Sequence, residues 1–198
     1  KDMLSVIRDS GVFDKIILLV NSSNALELDW LDEYEIDAAL WIGGPGYRGF
    51  EGVANVLTGQ ANPSGKLVDT YAADSLSSPA IVNFGDFSYE NSAEVSAYAS
   101  DPDSTVIKTL VYTEGIYVGY KYYETRYEDA VLGNGNATSN VGTFKSSGSE
   151  WNYADEIVYP FGYGLSYSTF EQTITNFDAS GDSVEVTVKV KNTGTVAG

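Results

Sequence analysis

The carboxylate best suited to chemistry in this sequence is Glu114, which lies in a segment rich in glycine and tyrosine. Gly115 follows it and leaves room for access to the carboxylate. Nearby aromatic residues are Tyr112, Tyr117 and Tyr120. Rings that exclude water raise the pKa of a carboxyl group, as enzymes do for acid–base catalysis. Glu114 is therefore a candidate substrate-binding residue, and the alternative is a buried carboxylate satisfied by backbone N–H groups or by Lys121.

A second candidate substrate-binding residue is Arg48, in the glycine-rich segment Gly44-Pro-Gly-Tyr-Arg-Gly49. The segment follows a predicted strand and opens a predicted helix, the place where α/β proteins bind ligands. It also fits the G-x-G-x-x-G pattern of dinucleotide sites, with Asp69 about 20 residues further on. Because Asn62-Pro63 separates the two, a tight strand-to-helix turn without a cofactor is favoured. For Arg48 the alternative to ligand binding is a solvated or salt-bridged side chain.

The residue types that are missing restrict the chemistry further. The 198-residue sequence has no cysteine and no histidine, so disulfides, thiol nucleophiles and the usual zinc ligands are excluded from it. Acid–base chemistry would fall to Asp, Glu, Lys or Tyr, and no metal site or cofactor is predicted. The formal charge of −17 argues against nucleic acid and anionic membranes as partners, while a neutral carbohydrate is compatible. No apolar run reaches the length of a membrane span.

The elements that must position these residues alternate between helix and strand. Helical spacing of apolar residues predicts helices at 2–9 and 47–57. Continuous apolar runs predict strands buried on both faces at 15–20 and 38–42, and a further strand is predicted at 67–71. This alternation indicates an α/β fold with a mainly parallel sheet. It starts abruptly at the first residue, so earlier strands are expected to be missing from the chain.

The C-terminal part follows a different pattern. Residues 184–191 alternate strictly between valine and polar residues, which predicts a half-buried antiparallel strand. A turn at 178–182 would pair it with residues 172–177. Because two strands alone do not form a stable sandwich, these are expected to be the first strands of an immunoglobulin-like β-sandwich that the chain leaves incomplete. Two long loops are predicted between the regular elements, at 72–109 and 131–153.

Three segments, in order along the chain, resemble glycoside hydrolase family 3, which contains β-glucosidases and β-xylosidases. The first resembles the family's LxGxxNPSGxL segment and reads Leu57-Thr-Gly-Gln-Ala-Asn-Pro-Ser-Gly-Lys-Leu67. The second resembles its EGIxVGYRYY segment and reads Tyr112-Thr-Glu-Gly-Ile-Tyr-Val-Gly-Tyr-Lys-Tyr-Tyr-Glu124. The third resembles the end of its second domain and reads Pro160-Phe-Gly-Tyr-Gly-Leu-Ser-Tyr-Ser-Thr-Phe170. Together they cover nearly the whole chain.

The resemblance implies a domain organisation. Residues 1–167 would be the C-terminal α/β-sandwich domain of a family 3 glycoside hydrolase, a partial sandwich whose N-terminal part is missing. Residues 168–198 would be the truncated start of a fibronectin-III-like domain. The expected localisation is extracytoplasmic or secreted, in a bacterium.

The resemblance also implies part of a retaining β-glycosidase, an enzyme that hydrolyses terminal β-linked sugars from oligosaccharides or glucosides. In the family the nucleophile Asp lies on a separate (β/α)8 barrel domain, and the acid/base Glu lies in a loop that precedes the region matching Lys1. Neither motif is present, so no catalytic residue is assigned to this chain. It would supply the active-site wall and scaffold, and be inactive without the barrel. The alternative is a non-catalytic carbohydrate-binding or scaffold module.

Overall fold

A computed structural model describes residues 2–82, 84, 90, 91, 94, 112, 114–133 and 151–198. The chain forms two compact units, each assembled from three separate stretches. The larger unit contains Lys1–Leu18, Asn24–Ala39 and Val68–Phe161. The smaller unit contains Leu19–Ser23, Leu40–Leu67 and Gly162–Gly198. The predicted loops at 72–109 and 131–153 fall largely outside the described residues, and the domain boundary predicted after residue 167 stays a prediction.

The first four elements are two helices and two strands, close to the positions that the sequence pattern predicts, but the two strands follow each other directly. They are α1 (Asp2–Ser10), β1 (Ile17–Val20), β2 (Ala38–Trp41) and α2 (Gly46–Leu57). β1 and β2 pair in a two-stranded sheet. The backbone N–H of Asp37 donates to Ile16 over 3.0 Å, and that of Ile42 donates to Val20 over 3.0 Å. Because these bonds advance in the same direction along both segments, the pair is parallel.

Asp37 fixes the start of this parallel pair. One carboxylate oxygen accepts from the Lys15 ammonium at 2.6 Å, and the other accepts from the Ile16 backbone N–H at 2.8 Å. The hydrogen bond from Lys15, followed by the one from Ile16, lowers the pKa of the Asp37 carboxyl group. A charged side chain thus sets the register where both strands begin.

The strands are less buried than continuous apolar runs predict. Val20 is 5% exposed, but Ile17 is 49% and Trp41 is 39% exposed, and neither α1 nor α2 contains a buried residue. A parallel strand is buried on both faces only when helices cover both faces of its sheet. The described residues provide too little of such a layer. The prediction of an α/β fold is confirmed in part, because the structure contains helices and small sheets. Within the described ranges, only the β1–β2 pair is parallel.

The rest of the larger unit surrounds a short antiparallel pair. Its elements are β3 (Tyr71–Ala72), a 3-10 helix (Ser75–Ser77), α3 (Pro79–Val82), α4 (Tyr120–Ala130), α5 (Tyr153–Glu156) and β4 (Ile157–Tyr159). Tyr71 lies opposite Tyr159 and Ala72 opposite Ile157. Ala72, Ile157 and Tyr123 of α4 form a buried apolar cluster. The strand predicted at 67–71 is observed as β3, which is shorter and begins later than predicted.

In the smaller unit, one side chain ties together three parts of the chain. The Oδ1 atom of Asn62 accepts from the Ser166 hydroxyl at 2.9 Å and from the Tyr167 backbone N–H at 2.8 Å. Its amide nitrogen donates to the carbonyl of Ala197 at 3.1 Å. The Tyr167 hydroxyl donates to the carbonyl of Val56 in α2 at 2.8 Å. Two segments singled out by the sequence motifs are thus joined by Asn62.

The smaller unit also contains the hairpin of β5 (Phe170–Asp178) and β6 (Glu185–Asn192), which is antiparallel as predicted. Ile174 lies opposite Val188 and Phe177 opposite Val186, while Thr175 is the extra residue of a bulge between them. The bulge shifts the alternation by one residue, so Phe177 stays on the same face as Ile174. This keeps one apolar face continuous along the hairpin.

Within the described part of the chain, no helix has both the length and the apolar character needed to cross a membrane.

Candidate functional site

The turn that carries Arg48 lies at the carboxyl end of β2. Gly43 and Gly46 adopt φ angles of 55° and 61°, a left-handed backbone that favours glycine. A Cβ atom on Gly49 would meet the Cβ atom of Pro45 at 2.8 Å, so this position has no room for a side chain. These glycines let the chain turn from β2 into α2 within a few residues. Arg48 lies in the first turn of that helix.

Arg48 is exposed, and it makes no hydrogen bond or ion pair with any described residue. Five N–H groups of its guanidinium are therefore available to a ligand. The salt-bridged alternative is not seen among the described residues. Arg48 is therefore either a solvated side chain or one that binds a ligand.

The neighbouring strand contributes to the same edge. Asn21, which follows β1, donates its side-chain amide to the carbonyl of Gly43, and the Trp41 indole donates to the carbonyl of Ser22 at 2.8 Å. Because β1 and β2 are parallel, their carboxyl ends meet at one edge, and open α/β sheets bind ligands there. The turn with Arg48 is thus fixed by two hydrogen bonds to the segment after β1.

Asp69 does not complete a dinucleotide site in the described structure. It precedes β3, and β3 pairs antiparallel with β4. The acidic residue of a dinucleotide site belongs instead to a unit of parallel strands and a crossover helix. The glycines are explained by the tight turn between β2 and α2, which the sequence favoured over a dinucleotide site.

Glu114 lies in a turn of the larger unit, where Gly115 has a φ angle of 61°. Its Oε2 atom is buried and has no hydrogen-bond partner among the described residues. The predicted aromatic shield is not formed by Tyr112 and Tyr117, which are 54% and 50% exposed. Lys121 is exposed and makes no ion pair with Glu114. Glu114 lies in the larger unit, whereas Arg48 lies in the smaller unit.

Sequence reasoning missed a buried charged cluster next to Glu114. Arg126 of α4 is only 7% exposed, and its guanidinium carbon lies 5.0 Å from the ring centroid of Trp151 and 5.8 Å from that of Tyr122. Its Nη1 atom donates to the Tyr122 hydroxyl. Glu156 is 1% exposed. The sequence signal was the four-residue spacing of Tyr122 and Arg126, which places both on one face of a helix.

The pKa values of two tyrosines in this cluster reflect their burial and the charges around them. Burial raises the pKa of Tyr122, Arg126 lowers it, and the charges of Glu156 and Glu114 raise it further. Burial, followed by the hydrogen bond to Glu124, raises the pKa of Tyr153. These tyrosines remain protonated and act as hydrogen-bonding and packing groups. The cluster is a structural support behind Glu114 and offers no nucleophile.

Within the part of the chain that is described, no three or more carboxylate-bearing side chains are grouped closely enough to hold a metal ion. The arrangement thus offers an exposed arginine at a sheet edge and a half-buried carboxylate in a turn, both suited to hydrogen bonding.

Comparison with known proteins gives consistent matches along the chain. The model of the glycosyl hydrolase family 3 C-terminal domain matches residues 2–120. A β-glucosidase of Ruminococcus albus is 32% identical over all of this chain, and β-glucosidase B of Emericella nidulans is 32% identical over 96% of it. The chain spans 16% and 20% of the lengths of these two curated relatives.

Solved structures show the same similarity in three dimensions. β-Glucosidase 3B from Thermotoga neapolitana, in complex with glycerol, matches all of this chain with a TM-score of 0.65 and 28% identity, over 22% of its own chain. A β-glucosidase from Paenibacillus barengoltzii matches 98% of the chain with a TM-score of 0.64 and 28% identity, over 16% of its own chain. The predicted resemblance is confirmed: this chain belongs to the glycosyl hydrolase family 3 C-terminal domain family.

Proposed function

We propose that this chain is part of a retaining β-glucosidase-type hydrolase that removes terminal β-linked sugars from oligosaccharides or glucosides. The observation that carries the proposal is the family match over residues 2–120, together with relatives that are named β-glucosidases. The chain spans only 16–20% of those relatives, which leaves ample polypeptide for a barrel domain. In this proposal, both catalytic carboxylates lie in the part of the same protein that the chain described here does not include.

Retaining hydrolysis defines what this chain has to contribute. One carboxylate attacks the anomeric carbon while a carboxylic acid about 5–5.5 Å away protonates the departing oxygen. Groups that hold the sugar in position lower the barrier for both steps. Arg48 is suited to this role because its free N–H groups at the sheet edge match the acceptor oxygens of sugar hydroxyls. Glu114 is the weaker of the two predicted residues, since its Oε2 atom is buried.

The proposal is tested by the kinetics of the full protein that carries this chain, with an aryl β-glucoside as substrate. Arg48→Ala should raise KM by about tenfold, because the loss of a hydrogen bond to substrate corresponds to ~1.4 kcal/mol. Arg48→Lys should recover part of that loss, since it keeps the charge and fewer donors. The matched control is Lys121→Ala, which removes another exposed positive charge and should leave KM unchanged.

The role of Arg48 and the hydrolase proposal would be contradicted by two different outcomes. Equal KM values for Arg48→Ala and Lys121→Ala would remove Arg48 from substrate binding and leave the hydrolase proposal intact. A full protein that binds glucans but hydrolyses no β-glucoside would instead support the carbohydrate-binding module.

We also propose that the hairpin β5–β6 is the start of a fibronectin-III-like domain. The support is its antiparallel register and its apolar face, on which Ile174 is 64% and Val188 is 45% exposed. A two-stranded hairpin with one apolar face needs a second sheet to cover that face. In a sandwich of this class, the opposing sheet provides that cover.

A further inference from the structure

One short loop of the larger unit, at residues 115–119, exposes three apolar side chains in a row. Within this 115–119 loop, Ile116 is 73%, Tyr117 is 50% and Val118 is 42% exposed. A run of exposed apolar residues is unfavourable on a protein surface unless it serves a contact. The loop contains no charged residue, and its only polar side-chain group is the Tyr117 hydroxyl. It is therefore suited to contact another apolar surface.

The shape of the 115–119 loop is fixed by its own backbone. Its two ends are Gly115 and Gly119, which adopt left-handed φ angles of 61° and 66°. The backbone N–H of Gly115 donates to the carbonyl of Tyr112 at 3.1 Å, and that of Tyr117 donates to the carbonyl of Glu114 at 3.1 Å. A loop whose shape is formed in advance loses little conformational entropy when it docks.

An aromatic pair extends the apolar surface next to the loop. Tyr120 follows the loop directly and stacks on Phe161, with 4.1 Å between the ring centroids and 13° between the ring planes. Phe161 is itself 44% exposed. Tyrosine and phenylalanine are enriched at the buried centres of protein interfaces. The composition of this surface is thus that of an interface and not of a solvated loop.

The charge of the chain and the length of its relatives indicate what covers this surface. A second copy would bring together two chains that each have a formal charge of −17, and these repel each other. The curated relatives are far longer, since the chain spans 16% and 20% of two of them. Covalently linked polypeptide meets the loop at a high effective concentration. Contact within one protein is therefore favoured over contact between copies.

We propose that the 115–119 loop docks into an apolar surface on the remainder of the same polypeptide. This inference rests on the proposed function, in which the chain is one part of a longer hydrolase. Ile116 is the main anchor, because it has the largest exposed fraction of the three apolar side chains. Docking also fixes the adjacent turn that carries Glu114 against the other part of the protein.

Thiol labelling of the full protein tests whether the loop is covered. The chain has no cysteine, so Ile116→Cys introduces a single reactive thiol into it. After subtraction of the unsubstituted protein's reaction, Ile116→Cys should react with a maleimide about tenfold more slowly than Thr125→Cys, because a docked side chain reacts only when the contact opens. Thr125 is the control because it is polar and exposed on α4. Equal rates in the native protein would overturn the proposal.

A photo-crosslink identifies the occupant. The substitution of p-benzoylphenylalanine for Tyr117 keeps an aromatic ring in the loop and inserts into neighbouring C–H bonds on illumination. We expect cross-links within one polypeptide to peptides outside residues 1–198. Cross-links that join two copies, or that reach only residues 1–198, would refute the proposed occupant. Neither measurement uses turnover, so a protein that shows the expected cross-link but cleaves no β-glucoside would contradict the hydrolase proposal alone.

Discussion

At the scale of single residues, Arg126 is the most buried basic side chain among the described residues. A guanidinium that is 7% exposed has lost most of its water, and the rings of Trp151 and Tyr122 replace part of that solvation. Cation–π contacts of this kind contribute up to ~2 kcal/mol when they are desolvated. Arg126 therefore links α4 to the segment before α5.

Replacing Arg126 should loosen that region. Arg126→Ala removes the cation–π contacts with Trp151 and Tyr122 and the hydrogen bond to the Tyr122 hydroxyl, at a cost of about 3 kcal/mol. Arg126→Lys keeps the charge but loses the planar fork, and should cost less. The measurement is local hydrogen exchange at 120–130 and 151–159, which reports on this region alone. Exchange no faster in Arg126→Ala than in Lys121→Ala, on the same helix, would contradict this role.

The positions of Arg48 and Glu114 could be predicted from the sequence, but the residues that surround the candidate sites could not. Arg48 could be placed at a strand end because glycine spacing is a local signal. The aromatic rings predicted around Glu114 differ in burial, because Tyr112 and Tyr117 are half exposed. Arg126 was missed because its burial depends on Trp151, and no local pattern links two residues so far apart in the chain.

At the scale of elements, Asn62 explains why two sequence motifs occur together. Its three hydrogen bonds tie the start of the Asn-Pro-Ser-Gly segment to Ser166, Tyr167 and Ala197. Pro63 follows directly, and its fixed φ angle limits the conformations of the turn. The side chain thus holds the start of β5 and the residues after β6 next to α2.

A graded series at Asn62 should follow the number of hydrogen bonds lost. Asn62→Ala removes all three and should destabilise the smaller unit by ~2–3 kcal/mol, at about 1 kcal/mol for each bond. Asn62→Asp keeps both acceptor contacts, loses the donor to Ala197, and should cost less. Faster hydrogen exchange at 162–170 and 192–198 is the readout. Asn55→Ala, within α2, is the control, and equal exchange in it and in Asn62→Ala would refute the role.

Elements with a clear period were predicted well, and the others were not. The helices α1 and α2 follow from helical apolar spacing, β6 from alternation with a period of 2, and β1 and β2 from continuous apolar runs. The strand at 67–71 was misplaced because Leu67 makes backbone hydrogen bonds to Gly162 and Tyr163 at 2.8 Å, so only Tyr71–Ala72 remains for β3. Such pairing between distant segments leaves no periodic signal.

At the scale of the whole molecule, the proposed fibronectin-III-like domain predicts that a second sheet covers the apolar face of the hairpin. A charge at Val188 would then be buried without a partner, at a cost of several kcal/mol. Val188→Asp should lower the melting temperature of the corresponding domain by several degrees, measured by calorimetry. Thr187→Asp adds the same charge on the opposite face and should be mild. Equal effects of the two substitutions would contradict a covering sheet.

The alternation of the two units along the chain has a consequence for inheritance and engineering. The polypeptide passes between them five times, because three stretches of one unit alternate with three of the other. No uninterrupted piece of gene encodes either unit. Recombination that exchanges one contiguous fragment therefore replaces parts of both, and natural variants of this region should be inherited as a single block.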